Sequence, residues 1–253
     1  MSAWVGIGRS EIGLVRATNQ DAFAVIDRLG LWAVADGMGG HVGGEIAAQT
    51  AIARVKAQTE LSADLLHHHH DHGQGAATTF LTKLIAEAHN AILERAKLDP
   101  RLKGMGTTIV LLLIHLQQTP TVHVAHLGDS RAYRFRSGTL TPLTRDHTLI
   151  EKYLAHGILT EASARTHPER HVLTRALGMS SPVKPAITSY PLQQEDLMLL
   201  CSDGLTKMLD DDDIREIFSE TKGDPIWTCD RLIAESLERG GEDNVTVVVI
   251  AHP

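Results

Sequence analysis

The sequence has few cysteines and no excess of basic residues. The 253 residues include two cysteines, Cys201 and Cys229, and two thiols do not make a disulfide framework. Acidic residues number 31 against 24 Lys and Arg, which gives a formal net charge of -7. An acidic chain of this kind argues against nucleic acid as the main partner, and it does not conflict with cation binding. The cysteine usage favours a reducing compartment, and we expect a cytoplasmic protein.

Long apolar runs are also missing. The longest, IVLLLIHL at 109–116, is far below the roughly 20 residues needed to cross a bilayer. The N-terminal segment MSAWVGIGRSEIG has no basic region followed by an apolar stretch, so it predicts no signal peptide. No repeat and no Pro- or Ser-rich linker divides the chain. We therefore expect one domain over residues 1–253, with no membrane segment.

The hydrophobic pattern divides the chain into blocks of strands and helices. AFAVID (22–27) and LWAVA (31–35) flank the turn RLG and predict a hairpin. Further strands are expected at 107–116, 121–128, 131–136, 186–191, 197–202 and 244–251. Helical spacing predicts long helices at 42–58 and 78–98 and short ones near 148–156, 160–166, 213–219 and 225–239. This order predicts a mainly antiparallel β core with helices outside it, interrupted by an insertion or flap at about 146–178.

Aspartates stand where apolar strands begin or end. The five in question are Asp21, Asp36, Asp129, Asp203 and Asp243. Aspartate is a common turn residue, which explains any one of them. Five carboxylates against buried sheet are harder to explain, because an unpaired buried carboxylate is costly unless a cation holds it. Oxygen ligands without His or Cys select Mg²⁺ or Mn²⁺, and pairs of such ions activate water for in-line displacement at phosphorus.

Two neighbouring features fit the same chemistry. The segment VADGMGGHVGGE (34–45) runs from an apolar strand into a glycine cluster, and glycine weakens ordered structure by roughly 0.5–1 kcal/mol relative to alanine. Either the backbone turns sharply there, or it approaches a metal ion or a phosphate closely. Arg16, in GLVRATNQD, is either a surface residue or an anchor for a phosphate group.

Seven motifs in order make the sequence similar to a known family. They are VRATNQDAF, ADGMGGHVGGE, GDSRAYRF, LTRDHTLIEKYLAHG, HPERHVLTRALG, LLCSDGL and GEDNVTVVV. In this order and spacing they resemble the bacterial form of the metal-dependent serine/threonine protein phosphatases of type 2C, from about residue 4 to 250. The resemblance implies an α+β fold, a four-layer αββα sandwich of two packed, mainly antiparallel sheets flanked by helices.

The resemblance also implies a two-metal centre occupied by Mn²⁺ or Mg²⁺. In it, Asp36 bridges two ions and the backbone carbonyl of Gly37 coordinates one of them. Asp203 and Asp243 hold the second ion, and Asp21 supports the pair, partly through water. The implied reaction is hydrolysis of phosphoserine or phosphothreonine by an activated water, without a phosphoenzyme.

Three further roles are implied by the same resemblance. Arg16 binds the substrate phosphate. Asp129, with Asp203, resembles the ligands that bacterial members use for a third, weaker metal ion. The stretch 146–178 corresponds to a flap that influences substrate choice.

The chain departs from animal members of the family at two positions. Met38 replaces a histidine that is a candidate acid for the leaving alkoxide, and Gln20 replaces a glutamate. We hypothesise that His41, three residues after Met38, or a metal-bound water protonates the leaving group. The alternative is that His41 only fixes the glycine-rich loop by hydrogen bonding.

The resemblance predicts phosphorylated proteins as partners, including a Ser/Thr kinase that the enzyme opposes, and we expect a monomer. Two other readings stay open. One is an inactive relative that binds a phosphoprotein, against which the intact Arg16, Asp36, Asp203 and Asp243 argue. The other is a two-metal phosphatase acting on a small phosphate ester.

Other features have simpler explanations. HHHHDH (67–72) is either a Zn²⁺- or Ni²⁺-binding segment or a solvated insertion, which we favour. The acidic run LDDDDIREIF (209–218) is expected to cap the helix that follows it. We expect structural roles for His115, His123 and His126, and core positions for Trp4, Trp32 and Trp227.

Overall fold

The computed structural model describes residues 4–63, 74–115, 120–165, 167–179 and 183–252, without the side chains of 40–42, 74, 161 and 165. The histidine-rich segment 67–72 lies outside these residues. None of the described helices has the length and apolar content that crossing a bilayer requires.

The described strands form two antiparallel sheets. The first has the order β1-β11-β10-β7-β8, with β1 Val5–Glu11, β7 Arg131–Arg136, β8 Thr139–Pro142, β10 Leu197–Cys201 and β11 Val245–Ala251. The second has the order β2-β3-β5-β6-β9, with β2 Asp21–Ile26, β3 Leu31–Met38, β5 Ile109–His115, β6 Thr121–Leu127 and β9 Ala186–Pro191. The short β4, Gly106–Thr107, pairs with the end of β3.

Helices cover the outer face of each sheet. Two long helices, α1 (Gly40–Leu61) and α2 (Gln74–Leu98), pack on the second sheet. The flap carries α3 (Leu149–Ala155) and α4 (Glu161–Arg165). After β10 come α5 (Asp203–Thr206), α6 (Asp211–Glu220) and α7 (Pro225–Glu238), of which α6 and α7 pack on the first sheet.

Alternation of side chains along the strands explains why three apolar layers separate these elements. In β11, Val248 and Ile250 face the other sheet, whereas Val247 and Val249 face the helices. Because both faces of the central strands are covered, they are apolar almost throughout. The layer between the sheets includes Trp32. The predicted four-layer αββα sandwich is therefore confirmed.

The predicted hairpin is confirmed, with β2 and β3 joined by a 3-10 turn at Asp27–Leu29. The predicted strand at 107–116 is divided into β4 and β5 at Thr108. There the Asp36 N–H donates to the side-chain Oγ1 of Thr108 at 3.0 Å, while the Thr108 N–H donates to the Asp36 carbonyl at 2.8 Å. Three of the described strands and α-helices were not predicted: β1, β8 and α5. The first two are half-exposed and rich in polar residues or glycine.

The expected burial of tryptophan is right for two of the three residues. Trp4 and Trp32 are buried, but Trp227 is 53% exposed. Helix α7 faces the sheet through Cys229, Leu232 and Ser236, and this spacing turns Trp227 toward solvent. The acidic run caps α6 as predicted, through a capping box between Asp210 and Asp213.

Candidate metal centre and phosphate site

One cleft gathers most of the predicted site residues. It has a volume of about 610 Å³, and four of the five aspartates line it together with Arg16: Asp36, Asp129, Asp203 and Asp243. The cleft lies at one end of the sandwich, where strands of both sheets begin or end. It joins carboxylates that are up to 207 positions apart in the chain, between Asp36 and Asp243.

The fifth aspartate, Asp21, lies directly opposite Asp36 in the β2–β3 ladder. Burial raises the pKa of Asp36 well above its ordinary value, and the negative charges of Asp21 and Asp203 raise it further. Burial also raises the pKa of Asp21 to about 6, even though the Ser202 hydroxyl donates to its Oδ2 at 2.7 Å. Both shifts have the same cause, because charged carboxylates are poorly solvated and repel one another here.

Asp203 and Asp243 enter the cleft from the first sheet, and both contact Lys207. The Lys207 Nζ lies 2.7 Å from Oδ2 of Asp203 and 2.8 Å from Oδ2 of Asp243. Burial alone raises the pKa of Asp243, but hydrogen bonding and charge from Lys207 lower it below its ordinary value. Burial lowers the pKa of Lys207, and the two carboxylates outweigh this effect and raise it.

Asp129 stands at the crossing between the sheets, after β6 and before β7. Burial raises its pKa to about 7, and the charges of Asp203 and Asp146 act in the same direction. Its neighbour Gly128 has a φ of 106°, a value that favours glycine. The turn therefore brings the Asp129 carboxylate to the cleft beside Asp203.

Arg16 reaches the cleft from the loop between β1 and β2. Its Nη2 donates to Oδ2 of Asp243 at 2.8 Å, and half of its side chain is exposed. Asn244 holds this loop by donating from Nδ2 to the Ile12 and Thr18 carbonyls, both at 2.9 Å, and by accepting from the Gln20 N–H at 2.8 Å. The sequence reasoning missed Asn244, although it lies in the motif GEDNVTVVV.

The glycine cluster has a packing reason that neither sequence alternative named. A Cβ on Gly37 would lie 2.0 Å from the Gly44 carbonyl oxygen and 2.7 Å from that of Gln20. The end of β3 and the first turns of α1 therefore touch backbone to backbone. Gly39, between them, has a φ of 120°. The side chain of His41 lies outside the described residues.

The carboxylates of the cleft are chemically suited to bind a divalent cation. All are oxygen donors, and the buried Oδ1 atoms of Asp21 and Asp203 have no hydrogen-bond partner, which a bound cation would supply. Within the described residues, however, no three acidic, histidine or cysteine side chains already form a cluster arranged for an ion. The Oδ2 atoms of Asp203 and Asp243 are instead turned to Lys207.

The flap closes one side of the cleft through His171 and Leu173, and Met179, directly after the flap, lines the same side. A β-bridge pairs Thr148 with Leu173. The base of the flap is fixed where Arg131 holds Asp146 by two parallel hydrogen bonds of 2.9 and 2.8 Å. His171 was missed in the sequence reasoning, although it belongs to the quoted motif HPERHVLTRALG.

Comparisons with known proteins agree with this geometry. The family model described as Protein phosphatase 2C matches residues 8–230. The serine/threonine protein phosphatase PstP of Mycobacterium tuberculosis is 37% identical over 241 residues, 95% of this chain and 43% of that protein. The serine/threonine phosphatase stp of Listeria welshimeri is 34% identical over 245 residues, 96% of this chain and 93% of that protein.

A solved structure of a similar protein contains metal ions. The crystal structure of the catalytic domain of PstP in complex with two manganese ions has a TM-score of 0.82 and 34% identity, with 98% of this chain and 97% of that chain covered. The chain spans less than half of the full PstP protein and nearly all of stp. The chain thus belongs to the protein phosphatase 2C family, the metal-dependent serine/threonine protein phosphatases, as its motifs predicted.

Proposed function

We propose that this chain hydrolyses phosphoserine and phosphothreonine in proteins with a metal-activated water and without a phosphoenzyme. The observation that carries the proposal is the convergence of strand-end aspartates from both sheets on one cleft that also holds Arg16. Carboxylates and an arginine fork are, respectively, the groups that hold hard cations and that bind a phosphoryl group.

The metal ligands proposed are those implied by the sequence. Asp36 and the Gly37 carbonyl would hold one ion, Asp36, Asp203 and Asp243 the other, and Asp21 would support the pair. Two Mn²⁺ or Mg²⁺ ions would lower the pKa of a water and neutralise charge on the phosphoryl oxygens. Asp129 and Asp203 would hold a third, weaker ion.

Side chains of the protein would bind the phosphoryl group and protonate the leaving group. Arg16 orients the phosphoryl group with its exposed guanidinium fork. A cysteine nucleophile is disfavoured, because Cys201 and Cys229 are buried and burial raises the pKa of each thiol to about 12. Protonation of the leaving alkoxide is assigned to His41, and His171 is the second candidate because it lines the cleft.

A protein substrate suits the surroundings of the cleft. Leu14 and Val15 are 68% and 70% exposed, and Val15 lines the cleft beside Arg16. Apolar side chains beside a phosphate site can contact residues that flank a phosphorylated serine or threonine. We propose one catalytic domain over residues 1–253 with a flap at 146–178, acting as a cytoplasmic monomer that opposes a Ser/Thr kinase.

Phosphate release from a phosphothreonine peptide, with and without Mn²⁺, tests the proposal. Wild type should release phosphate only with Mn²⁺, and Asp36→Asn should not. Equal or faster release from small phosphate esters would favour a metabolite phosphatase. No release by folded wild type with any divalent ion, together with binding of the phosphopeptide, would favour an inactive binding module.

A further inference from the structure

Lys207 occupies the position between two carboxylates where a cation is expected. Its ammonium group bridges Oδ2 of Asp203 and Oδ2 of Asp243, at 2.7 and 2.8 Å. About a quarter of the Lys207 side chain is exposed, and about 15% of each carboxylate. This is a semi-buried, two-armed ion pair, and removing one partner of such a pair destabilises a protein more than removing a partner of an exposed pair.

The carboxylates need this positive charge when no ion is bound. Asp21 and Asp36 lie on the other sheet of the same site, and both already have raised pKa values. Without a cation between them, Asp203 and Asp243 would add two further buried negative charges to the cluster. Arg16 also reaches Oδ2 of Asp243, but its side chain is half exposed, and within the described residues it forms no ion pair with Asp203.

A metal ion bound to these two oxygens would lie close to the ammonium group, and the two positive charges would repel each other. Ions of this class bind carboxylate oxygens at about 2.0–2.6 Å, and the Lys207 nitrogen already lies within hydrogen-bonding distance of both oxygens. The backbone of Lys207 is fixed, because its N–H donates to the Asp203 carbonyl at 2.8 Å. Repulsion from a bound ion would therefore favour rotation of the Lys207 side chain away from the two carboxylates.

We propose that Lys207 is a built-in competitor of the metal: it holds Asp203 and Asp243 together in the metal-free protein and is displaced by the incoming ion. The inference rests on the proposed metal centre and concerns a residue outside its ligand set. The ion pair of Lys207 with Asp203 and Asp243 thereby stabilises the metal-free protein. Because this stabilisation is lost when an ion displaces Lys207, the same ion pair lowers the affinity for the metal.

Calorimetric titration of the metal-free protein with MnCl₂ tests this directly. Lys207→Met keeps the length of the side chain and removes the charge, and it should bind Mn²⁺ about tenfold more tightly than wild type. Lys207→Arg keeps a cation at the site and should bind about as weakly as wild type. Lys56→Met removes an exposed lysine of α1 and should leave the affinity unchanged.

Thermal unfolding in EDTA and in saturating MnCl₂ gives an independent readout. In EDTA, Lys207→Met should unfold several degrees below wild type, and MnCl₂ should narrow the difference. If Lys207→Met is too unstable without metal, Lys207→Gln is titrated in its place. Equal affinities and equal metal-induced shifts in wild type and Lys207→Met would overturn the inference. No Mn²⁺ binding by wild type would instead overturn the metal centre itself.

Discussion

Asp21 and Asp36 are direct cross-strand neighbours at the open end of the β2–β3 hairpin. Like charges placed opposite each other destabilise a sheet, and burial makes the repulsion stronger. The pair therefore weakens the metal-free fold at the place where we propose that the ions bind.

The first prediction concerns this pair. In EDTA at pH 8, Asp36→Asn should be more stable than wild type by about 1–2 kcal/mol, because it removes a buried charge whose pKa is raised. With Mn²⁺ the same variant should lose on the order of a thousandfold in kcat. Urea unfolding and phosphate release measure the two effects. Asp212→Asn, at an 88% exposed carboxylate, is the control that should change neither.

The second prediction concerns Arg16. Arg16→Lys keeps the charge but loses the planar fork, so kcat/KM for a phosphothreonine peptide should fall about 10–100-fold. Inhibition by inorganic phosphate should weaken in parallel, since both use the same donors. Arg9→Lys, at an exposed pair with Asp230, serves as the matched arginine control. Unchanged phosphate inhibition in Arg16→Lys would remove Arg16 from the phosphate site.

The third prediction separates the two candidate acids. A group that protonates the leaving alkoxide is required in its acid form, so its loss removes the alkaline limb of the kcat–pH profile. We expect this change in His41→Gln and an intact limb in His171→Gln. The reverse outcome would assign the proton to His171. Intact limbs in both variants would leave a water as the donor.

The fourth prediction tests the contact between β3 and α1. Gly37→Ala should lower the free energy of unfolding by roughly 3 kcal/mol or more, because the new methyl group would meet the Gly44 carbonyl oxygen at 2.0 Å. Gly75→Ala offers a matched change in α2, where a Cβ meets nothing within 4 Å. The free energy of unfolding of Gly75→Ala should be up to about 1 kcal/mol higher than that of wild type. Urea denaturation of both without metal gives the comparison.

The fifth prediction concerns the pH dependence of stability. His123 is buried, and burial, with a smaller contribution from His115, lowers its pKa to about 4. Between pH 6.5 and 4 the unfolded chain binds a proton that the folded His123 does not, so stability falls as the pH drops through this window.

Unfolding free energies at pH 7.5 and 4.5 measure this effect. From pH 7.5 to 4.5, the free energy of unfolding of His123→Asn should fall by about 1–3 kcal/mol less than that of wild type, since the titrating group is gone. His156→Asn, at an exposed histidine, should follow wild type. A parallel decline in wild type and His123→Asn would show that His123 does not carry the pH dependence.

The position of the carboxylates could be predicted because it depends on local patterns. Runs of apolar residues show where each strand ends, and the short turn about RLG predicts that β2 and β3 pair as a hairpin. Counting back from a three-residue turn would place Ala22 opposite Asp36; four residues, 27–30, lie between the paired Ile26 and Leu31, and this puts Asp21 opposite Asp36. The helix cap at Asp210 was predictable for the same reason, since it involves residues three positions apart.

Other features depend on contacts that the sequence does not encode locally. The bridge from Lys207 to Asp243 joins residues 36 positions apart, and the Asn244 clamp on the Arg16 loop spans more than 220. Strand β8 has the polar pattern TLTP and is stabilised by pairing with β7. Trp227 was placed in the core by residue type alone, whereas the phase of α7 decides its exposure.

The carboxylates of the site come from both halves of the sandwich: Asp21 and Asp36 from one sheet, Asp203 and Asp243 from the ends of strands in the other. An ion bound by carboxylates of both sheets would link the two sheets at this end of the sandwich. Amide hydrogen exchange should therefore slow together at Gly37, which donates to Gln20, and at Ser202, which donates to Thr246. Hydrogen exchange at these two amides would then report metal occupancy, at an end of the molecule where no backbone ladder among the described strands joins the two sheets.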